Sequence, residues 1–276
     1  MRSSAAIGPV RKAGERARRL AESLGGLWQG SAAWRRSGWS LLYPPRCAFC
    51  DADLAMDDGQ PLLCEACREA MVPAQWWGCP YCAGPVPAEY PAGTRCPLCH
   101  AHDFHFDAAV TLGVYRDKLG EAVRRVKWEF GGSLAAAMGG LFSIIRGDEL
   151  AALEPDCVVP VPMFWSTRLV RKVNGPDLLA ARVASVLQIP VFPRMLRRTR
   201  KTRPQKELHP NERFPNVAGS FGVVKGYDIK GARIVLVDDV LTTGATCDAA
   251  ARVLKQAGAS RVIAAVLARG IGDREV

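Results

Sequence analysis

Val235-Leu236-Val237-Asp238-Asp239-Val240-Leu241-Thr242-Thr243-Gly244-Ala245-Thr246 reads as a buried strand, two acids at its carboxyl end, and a turn rich in hydroxyls. A helix from about Cys247 to Ala257 follows. In an open parallel sheet, ligands bind beyond the carboxyl ends of strands, where the next helix offers unpaired N–H groups and the positive end of its dipole. Thr242, Thr243 and Thr246 add hydroxyl donors, and Gly244 permits a positive φ and close approach of the backbone to an anion. The turn therefore suits a phosphate. Asp238 and Asp239 would be poorly placed beside it as bare anions and fit neighbouring ribose hydroxyls or a hydrated cation instead.

Outward from this stretch, the 276 residues allow one α/β domain with a full core and a smaller attached module. Apolar residues make up 49% of the chain, so its bulk is globular and not disordered. The formal charge of +10 suits partners that carry phosphate, and charge alone does not choose among nucleotide, nucleic acid and membrane surface. The basic residues between Met1 and Ser40 are not followed by the apolar run of a signal peptide, and no membrane span is apparent, so a cytoplasmic location is expected. Trp28, Trp34 and Trp39 are expected to pack on the cysteine module that follows.

Eight of the ten cysteines fall in four C-x-x-C pairs, Cys47/Cys50, Cys64/Cys67, Cys79/Cys82 and Cys96/Cys99. Thirteen residues separate the first pair from the second, and thirteen the third from the fourth, which marks a duplicated unit. Two such knuckles supply four thiolates to one Zn²⁺. A segment this short, rich in Pro and Gly, cannot bury a sufficient core, so metal binding would be its folding energy. Two structural zinc ions are expected. The duplication favours sequential ligation, Cys47, Cys50, Cys64 and Cys67 on one ion and Cys79, Cys82, Cys96 and Cys99 on the other, with an interleaved arrangement left open. His100, His102 and His105 read as surface residues, and Cys157 and Cys247 as small buried apolar ones.

From Asp107 strands and helices alternate. Phe106–Tyr115 reads as a strand. Asp117–Phe130 reads as a helix with Arg124, Arg125 and Lys127 on its outer face, and Leu134 to Ile145 as a second helix. Asp156–Pro162 is a short buried strand, and Arg168, Arg171 and Lys172 lie in the loop after it. Asp177 opens a helix with Leu178, Leu179, the Arg182 stem, Val183 and Val186 on its apolar positions. A strand end, a basic loop and a helix start make a second anion site. Arg194–Arg203 places six cations in ten residues, a run expected to repel itself and to form a mobile lid that orders on an anion.

The Val235–Thr246 stretch resembles the phosphoribosyl pyrophosphate (PRPP) motif of type I phosphoribosyltransferases. The resemblance implies that Asp238 and Asp239 hold the ribose 2- and 3-hydroxyls and that Thr242, Thr243, Gly244, Ala245 and Thr246 hold the 5-phosphate. It also implies that Val161–Asn174 receives the pyrophosphate, with Arg171 and Asn174 as contacts. Tyr43-Pro44-Pro45-x-Cys47-x-x-Cys50, the four C-x-x-C pairs, Val159-Pro160-Val161-Pro162, Arg171-x-x-Asn174 and Arg198-Thr199-x-x-Thr202-x-x-Gln205-x-x-Leu208 are together similar to the ComF family over roughly residues 40–270. These are double-zinc-ribbon, phosphoribosyltransferase-like proteins linked to DNA uptake. Where that family usually has Arg-Gly-Phe-Asn-Gln, this chain has Arg171-Lys172-Val173-Asn174-Gly175, which adds charge and removes freedom at a turn.

The resemblance implies a type I phosphoribosyltransferase-like parallel sheet flanked by helices, with an N-terminal double zinc ribbon. The division is a basic, Trp-containing extension over 1–42, the zinc ribbon over 43–104 and the transferase-like domain over 105–276. Implied ligands are PRPP with Mg²⁺, contacted also by Arg198, Thr199, Gln205 and Lys127. Asp238, Asp239 and Arg171 would carry any catalysis, a displacement of pyrophosphate whose acceptor no motif specifies. Two other readings stand beside a transferase: a PRPP or nucleotide sensor without turnover, and an accessory protein of DNA import whose basic lid and ribbons meet single-stranded DNA or a DNA-uptake helicase. The oligomeric state has no signature in the sequence.

Overall fold

The computed structural model describes residues 45–54, 62–91, 93–126, 132–163 and 175–272. The expectations for the N-terminal extension and its Trp residues, and those for Lys127, Arg171 and Asn174, lie outside the described residues. In chain order the elements are α1 (Glu65–Met71), β1 (Ala108–Val114), α2 (Asp117–Val126), α3 (Gly132–Ala152), β2 (Cys157–Pro160), α4 (Gly175–Leu187) and β3 (Leu196–Arg198). A 3₁₀ turn (Gln205–Glu207), α5 (Pro210–Val217), β4 (Phe221–Val223), β5 (Arg233–Leu241), α6 (Ala245–Gln256) and β6 (Arg261–Arg269) complete them.

Strands β1, β6, β5 and β2 form, in that order, a parallel sheet, and β3 and β4 form a separate antiparallel hairpin. The central strands are apolar on both sides because both faces are covered. Register puts Val235 beside Val158 and Ile263, and Val237 beside Ala265; all join one core with α2, α3 and α4. Their neighbours Val159, Ile234, Leu236, Val262, Ala264 and Val266 point the other way, into a second core with α6 and the hairpin residues Leu196 and Phe221. Helix α6 contributes Cys247, Ala250, Ala251 and Leu254, one face at helical spacing. Helices α3 and α4 cross closely at Gly139, where a Cβ would stand 3.0 Å from the Arg182 Cβ. This is the helix-flanked parallel sheet expected from the sequence.

Element limits differ from the expectations in informative ways. Strand β5 does not stop at the acids: Asp238 pairs with Val266 and Leu241 with Arg269, so the long partner strand carries it past them. Helix α6 starts at Ala245 because Gly244, at φ 88, is its N-cap and turns the chain there. Helix α4 buries Pro176, Leu179, Ala180, Val183 and Ala184, which leaves Val186 exposed rather than on the apolar face. Arg125 is exposed on the outer face of α2, as expected, and has a further role there. Its guanidinium donates to the Phe49 carbonyl at 2.8 Å and lies 4.4 Å from the Phe49 ring, docking the first cysteine unit on α2.

The run 194–203 departs most from its expectation of a self-repelling, mobile lid. Leu196–Arg198 pairs with Phe221–Val223, and Arg200 donates to the carbonyls of Asn216 and Ala218 at 2.9 and 2.8 Å. Those carbonyls lie at the negative end of α5, where a cation is favoured. The Asn216 side chain meets both backbone groups of Arg203, accepting from its N–H at 3.1 Å and donating to its carbonyl at 3.0 Å. The Arg200 charge is held by helix-end carbonyls and the Arg203 backbone by Asn216, so part of the run is paired without a bound anion.

Candidate ligand site and metal centres

The two cysteine sets are built alike. In each, the first cysteine's N–H closes a knuckle, Cys47 to the Ala52 carbonyl at 2.8 Å and Cys79 to the Gly84 carbonyl at 2.7 Å. Asp51 and Ala83, each four residues after the first cysteine, take positive φ values of 64 and 52. The bridges Arg46 to Asp53 and Gly78 to Pro85 repeat at the same offsets. The duplication read from spacing is thus a duplication of backbone geometry.

Cys47, Cys50, Cys64 and Cys67 converge, as do Cys79, Cys82, Cys96 and Cys99, with the sulfurs of each set within 4.8 Å of one another. The structure therefore has the sequential grouping. A tetrahedral Zn²⁺ with bonds of about 2.3 Å spaces its sulfurs by about 3.8 Å. The separations are 3.6 Å for Cys50 to Cys64, 3.8 Å for Cys79 to Cys99, 3.5 Å for Cys82 to Cys96 and 3.8 Å for Cys96 to Cys99. In the second set, Cys79 is pulled down to about 4 by its hydrogen bond from Cys82 and by backbone N–H groups, against burial, while Cys82 is pushed up. Four buried thiolates need a cation, and the geometry fits zinc.

At the carboxyl end of the sheet, Val161 N donates to the Val237 carbonyl at 2.8 Å, so the ends of β2 and β5 lie side by side. The loop after β5 runs through Thr242 and Thr243 to Gly244 and the first turn of α6, whose early N–H groups have no intrahelical acceptor. Asp238, Asp239, Thr242, Thr243 and Thr246 are partly exposed around it, with Gly244 and Ala245 buried beneath. Asp238 accepts from the Asp239 N–H at 2.9 Å, and the Thr243 hydroxyl accepts from the Ala245 N–H at 3.5 Å.

The connection between β3 and β4 reaches the start of α6 at Gln205, and Arg198 at the end of β3 lies in the field of Asp238. Gln205 Nε2 donates to Thr246 Oγ1 at 2.8 Å. Arg198 stacks 5.0 Å from the Phe221 ring and donates to Thr202 Oγ1 at 2.9 Å. Burial lowers its pKa, and the charge of Asp238 opposes that, which places the guanidinium in the field of that acid. Thr199 is turned elsewhere: its hydroxyl donates to the Gly219 carbonyl at 3.0 Å, within the hairpin. Cys247 is buried, its Sγ 4.0 Å from Asp238 Oδ2, and burial followed by the charges of Asp238, Asp239 and Asp248 holds it as a thiol.

Two groups at the site carry no mark in the sequence. Arg269, 4% exposed at the end of β6, donates through Nη1 to the Leu241 carbonyl at 2.8 Å and to the carbonyls of Thr242 and Gly270. It holds the floor of the loop. Phe104 lies over Gly244, where a Cβ would meet its Cε1 at 2.7 Å, and His102 stacks on Phe104 and Phe214 with centroids 5.7 and 5.5 Å apart. His105 is likewise engaged: its N–H donates to Asp248 Oδ1 at 2.7 Å, and its Nδ1 lies 2.9 Å from the same oxygen. His102 and His105 are exposed, as the sequence suggested, and in addition make these contacts. An aromatic or imidazole between two domains has no local pattern to announce it.

Among the described residues, no helix is long and apolar enough to cross a membrane. The double zinc ribbon domain family matches residues 39–100, and the phosphoribosyl transferase domain family matches residues 178–276. Competence protein F of Haemophilus influenzae is 25% identical over 228 residues, covering 81% of this chain and 96% of that protein. DNA utilization protein YhgH of Salmonella typhimurium is 29% identical over 218 residues, covering 73% and 94% respectively. A stretch of 42 residues is 55% identical to adenine phosphoribosyltransferase of Mycobacterium avium, covering 15% of this chain and 23% of that enzyme. These matches bear out the resemblance to the ComF family, a double zinc ribbon joined to a phosphoribosyltransferase domain.

Proposed function

We propose that this ComF-type chain binds PRPP at the β5–α6 loop and acts, in the cytoplasm, in DNA uptake or processing. The observation that carries the reading is the closure of the hairpin on the loop. Arg198 lies in the field of Asp238 and Gln205 contacts Thr246, so a cation and an amide donor meet the acids and hydroxyls on which a phosphoribosyl group would rest. Asp238 and Asp239 hold the ribose 2- and 3-hydroxyls. The N–H groups and hydroxyls of Thr242 to Thr246 hold the 5-phosphate at the helix terminus.

If the site turns over, the bond from C1 to the pyrophosphate oxygen breaks as a bond from C1 to a nucleophile forms. Pyrophosphate leaves with the electron pair, and the nucleophile's proton passes to solvent. Protein groups then act mainly by placing charge and excluding water. Arg198, with Arg171 and Lys127, would neutralise the leaving group, and Asn174 would donate a hydrogen bond to it. A bound Mg²⁺ would supply further positive charge to the substrate, with Asp238 and Asp239 the acids near enough to the loop to face it.

The test is calorimetric titration of PRPP with Mg²⁺ into the zinc-loaded chain and into Asp238→Asn/Asp239→Asn, with pyrophosphate release followed in parallel. Binding lost in the double variant supports the assignment, and release of pyrophosphate supports turnover. Binding without release supports a sensor. Absence of binding by the folded wild type ends the PRPP reading. A second reading, contact with single-stranded DNA, rests on the exposure of Arg197, Arg200, Lys201 and Arg203 along one run. It requires an affinity that falls steeply with salt and a salt slope that shrinks when these residues are replaced by Ala.

A further inference from the structure

The two metal sets meet the rest of the chain on opposite faces of the sheet. The first set belongs to the core beneath α2, α3 and α4, through Cys47, Cys67, Ala48 and Phe49. The second set is tied to the other side. Its knuckle carbonyl at Pro80 accepts from the N–H of Ala109 on edge strand β1 at 3.1 Å, and Ala83 joins the core that contains α6. From Cys99 the chain runs directly along the amino end of α6. Over this short strap the contacts with the loop and its helix come one after another.

Phe104 packs on the second cysteine cluster and, with the same ring, covers Gly244. His105 is bound to Asp248 in the opening turns of α6. Asp107 accepts from Lys255 Nζ at 2.7 Å, near the far end of α6, and from the Val262 N–H at 2.7 Å. Among the described residues, the partly buried apolar side chains packed against the four cysteines of the second set are Tyr81, Val86, Tyr90, Leu98 and Phe104. So few apolar groups cannot hold the unit without its metal.

We propose that metal in the Cys79/Cys82/Cys96/Cys99 site braces the β5–α6 loop through the positioning residues Phe104 and His105, whereas metal in the Cys47/Cys50/Cys64/Cys67 site does not. The second ion is then a determinant of the ligand site's shape, although none of its ligands lines that site. A loop preformed in this way meets a phosphate without first losing its own conformational freedom.

Hydrogen–deuterium exchange of the full chain, read on peptides spanning 241–249, tests this without any ligand. Cys82→Ser/Cys96→Ser is expected to raise exchange of the loop amides by about tenfold or more. Cys47→Ser/Cys50→Ser is expected to leave them as in wild type, each variant keeping one zinc. Phe104→Ala, which leaves every thiolate in place, is expected to raise loop exchange with both zinc ions retained, and Phe104→Leu to restore much of the protection. The Phe104 pair keeps the test decisive where a cysteine variant fails to fold. Equal loop protection in Phe104→Ala and wild type overturns the proposal, as does equal loosening by the two cysteine variants. Weakened PRPP binding in Phe104→Ala is a second readout and rests on the proposed function. Should wild type bind no PRPP, that function falls, and the exchange comparison still decides the brace.

Discussion

At Gly244 two demands coincide. Its φ of 88 lies where an L side chain costs about 1–2 kcal/mol, and the space a Cβ would take is filled by the Phe104 ring at 2.7 Å. Gly244→Ala is therefore expected to displace Phe104, lower the melting temperature and loosen the first turn of α6. Combining it with Phe104→Leu should recover part of the loss by removing the clash and leaving only the φ cost. Thermal denaturation of the three variants checks this, and additive losses would contradict it. The need for a glycine here is legible in the sequence, because a turn between an apolar strand and a helix demands such freedom. Its partner is not legible, because Phe104 is 140 positions away in sequence and belongs to no pattern. Arg269 escapes for a related reason. An arginine at the end of an apolar strand reads as the point where the strand meets water, yet its guanidinium turns back to bind carbonyls of the neighbouring loop.

The β3–β4 hairpin and α5 show at the level of elements what a charge count omits. Six cations in ten residues imply repulsion only while their acceptors are water and counterions. Here Arg200 finds helix-end carbonyls, and Asn216 satisfies both backbone groups of Arg203. Three-residue strands carry no period long enough to read, so the hairpin is invisible in the sequence, whereas the nine apolar-rich residues of β5 and the amphipathic α6 are plain. The consequence is measurable with trypsin. Native protein is expected to resist cleavage after Arg200 and Lys201 despite their exposure, and Asn216→Ala is expected to open those bonds, since it leaves the neighbouring Arg203 backbone without its Asn216 partner. Rapid cleavage of wild type at these sites, matching that of the variant, would restore the picture of a mobile run.

Across the whole molecule, the paired metal sets differ in access as well as in attachment. Cys50 is exposed and Cys64 half-buried, whereas Cys79, Cys82, Cys96 and Cys99 are each 0% exposed. A competing chelator must reach the ion or wait for a sulfur to leave, so an exposed thiolate lowers the barrier for the first set. Each ion also contributes folding energy to a segment with little apolar core of its own. Zinc is therefore expected to leave in two phases when a strong chelator is added to the intact chain. Cysteine alkylation mapped by mass spectrometry should find Cys47, Cys50, Cys64 and Cys67 labelled in the fast phase. The second set should follow only in the slow phase, with Cys247 still protected in the fast one by its burial against the β5–α6 loop. Simultaneous release and labelling of all eight would mean that the ribbons open as one unit. Because the second set lies against the β5–α6 loop side of the sheet, the order of release also orders the losses. The face at α2 gives way first, and the ligand site keeps its shape until the slower ion goes.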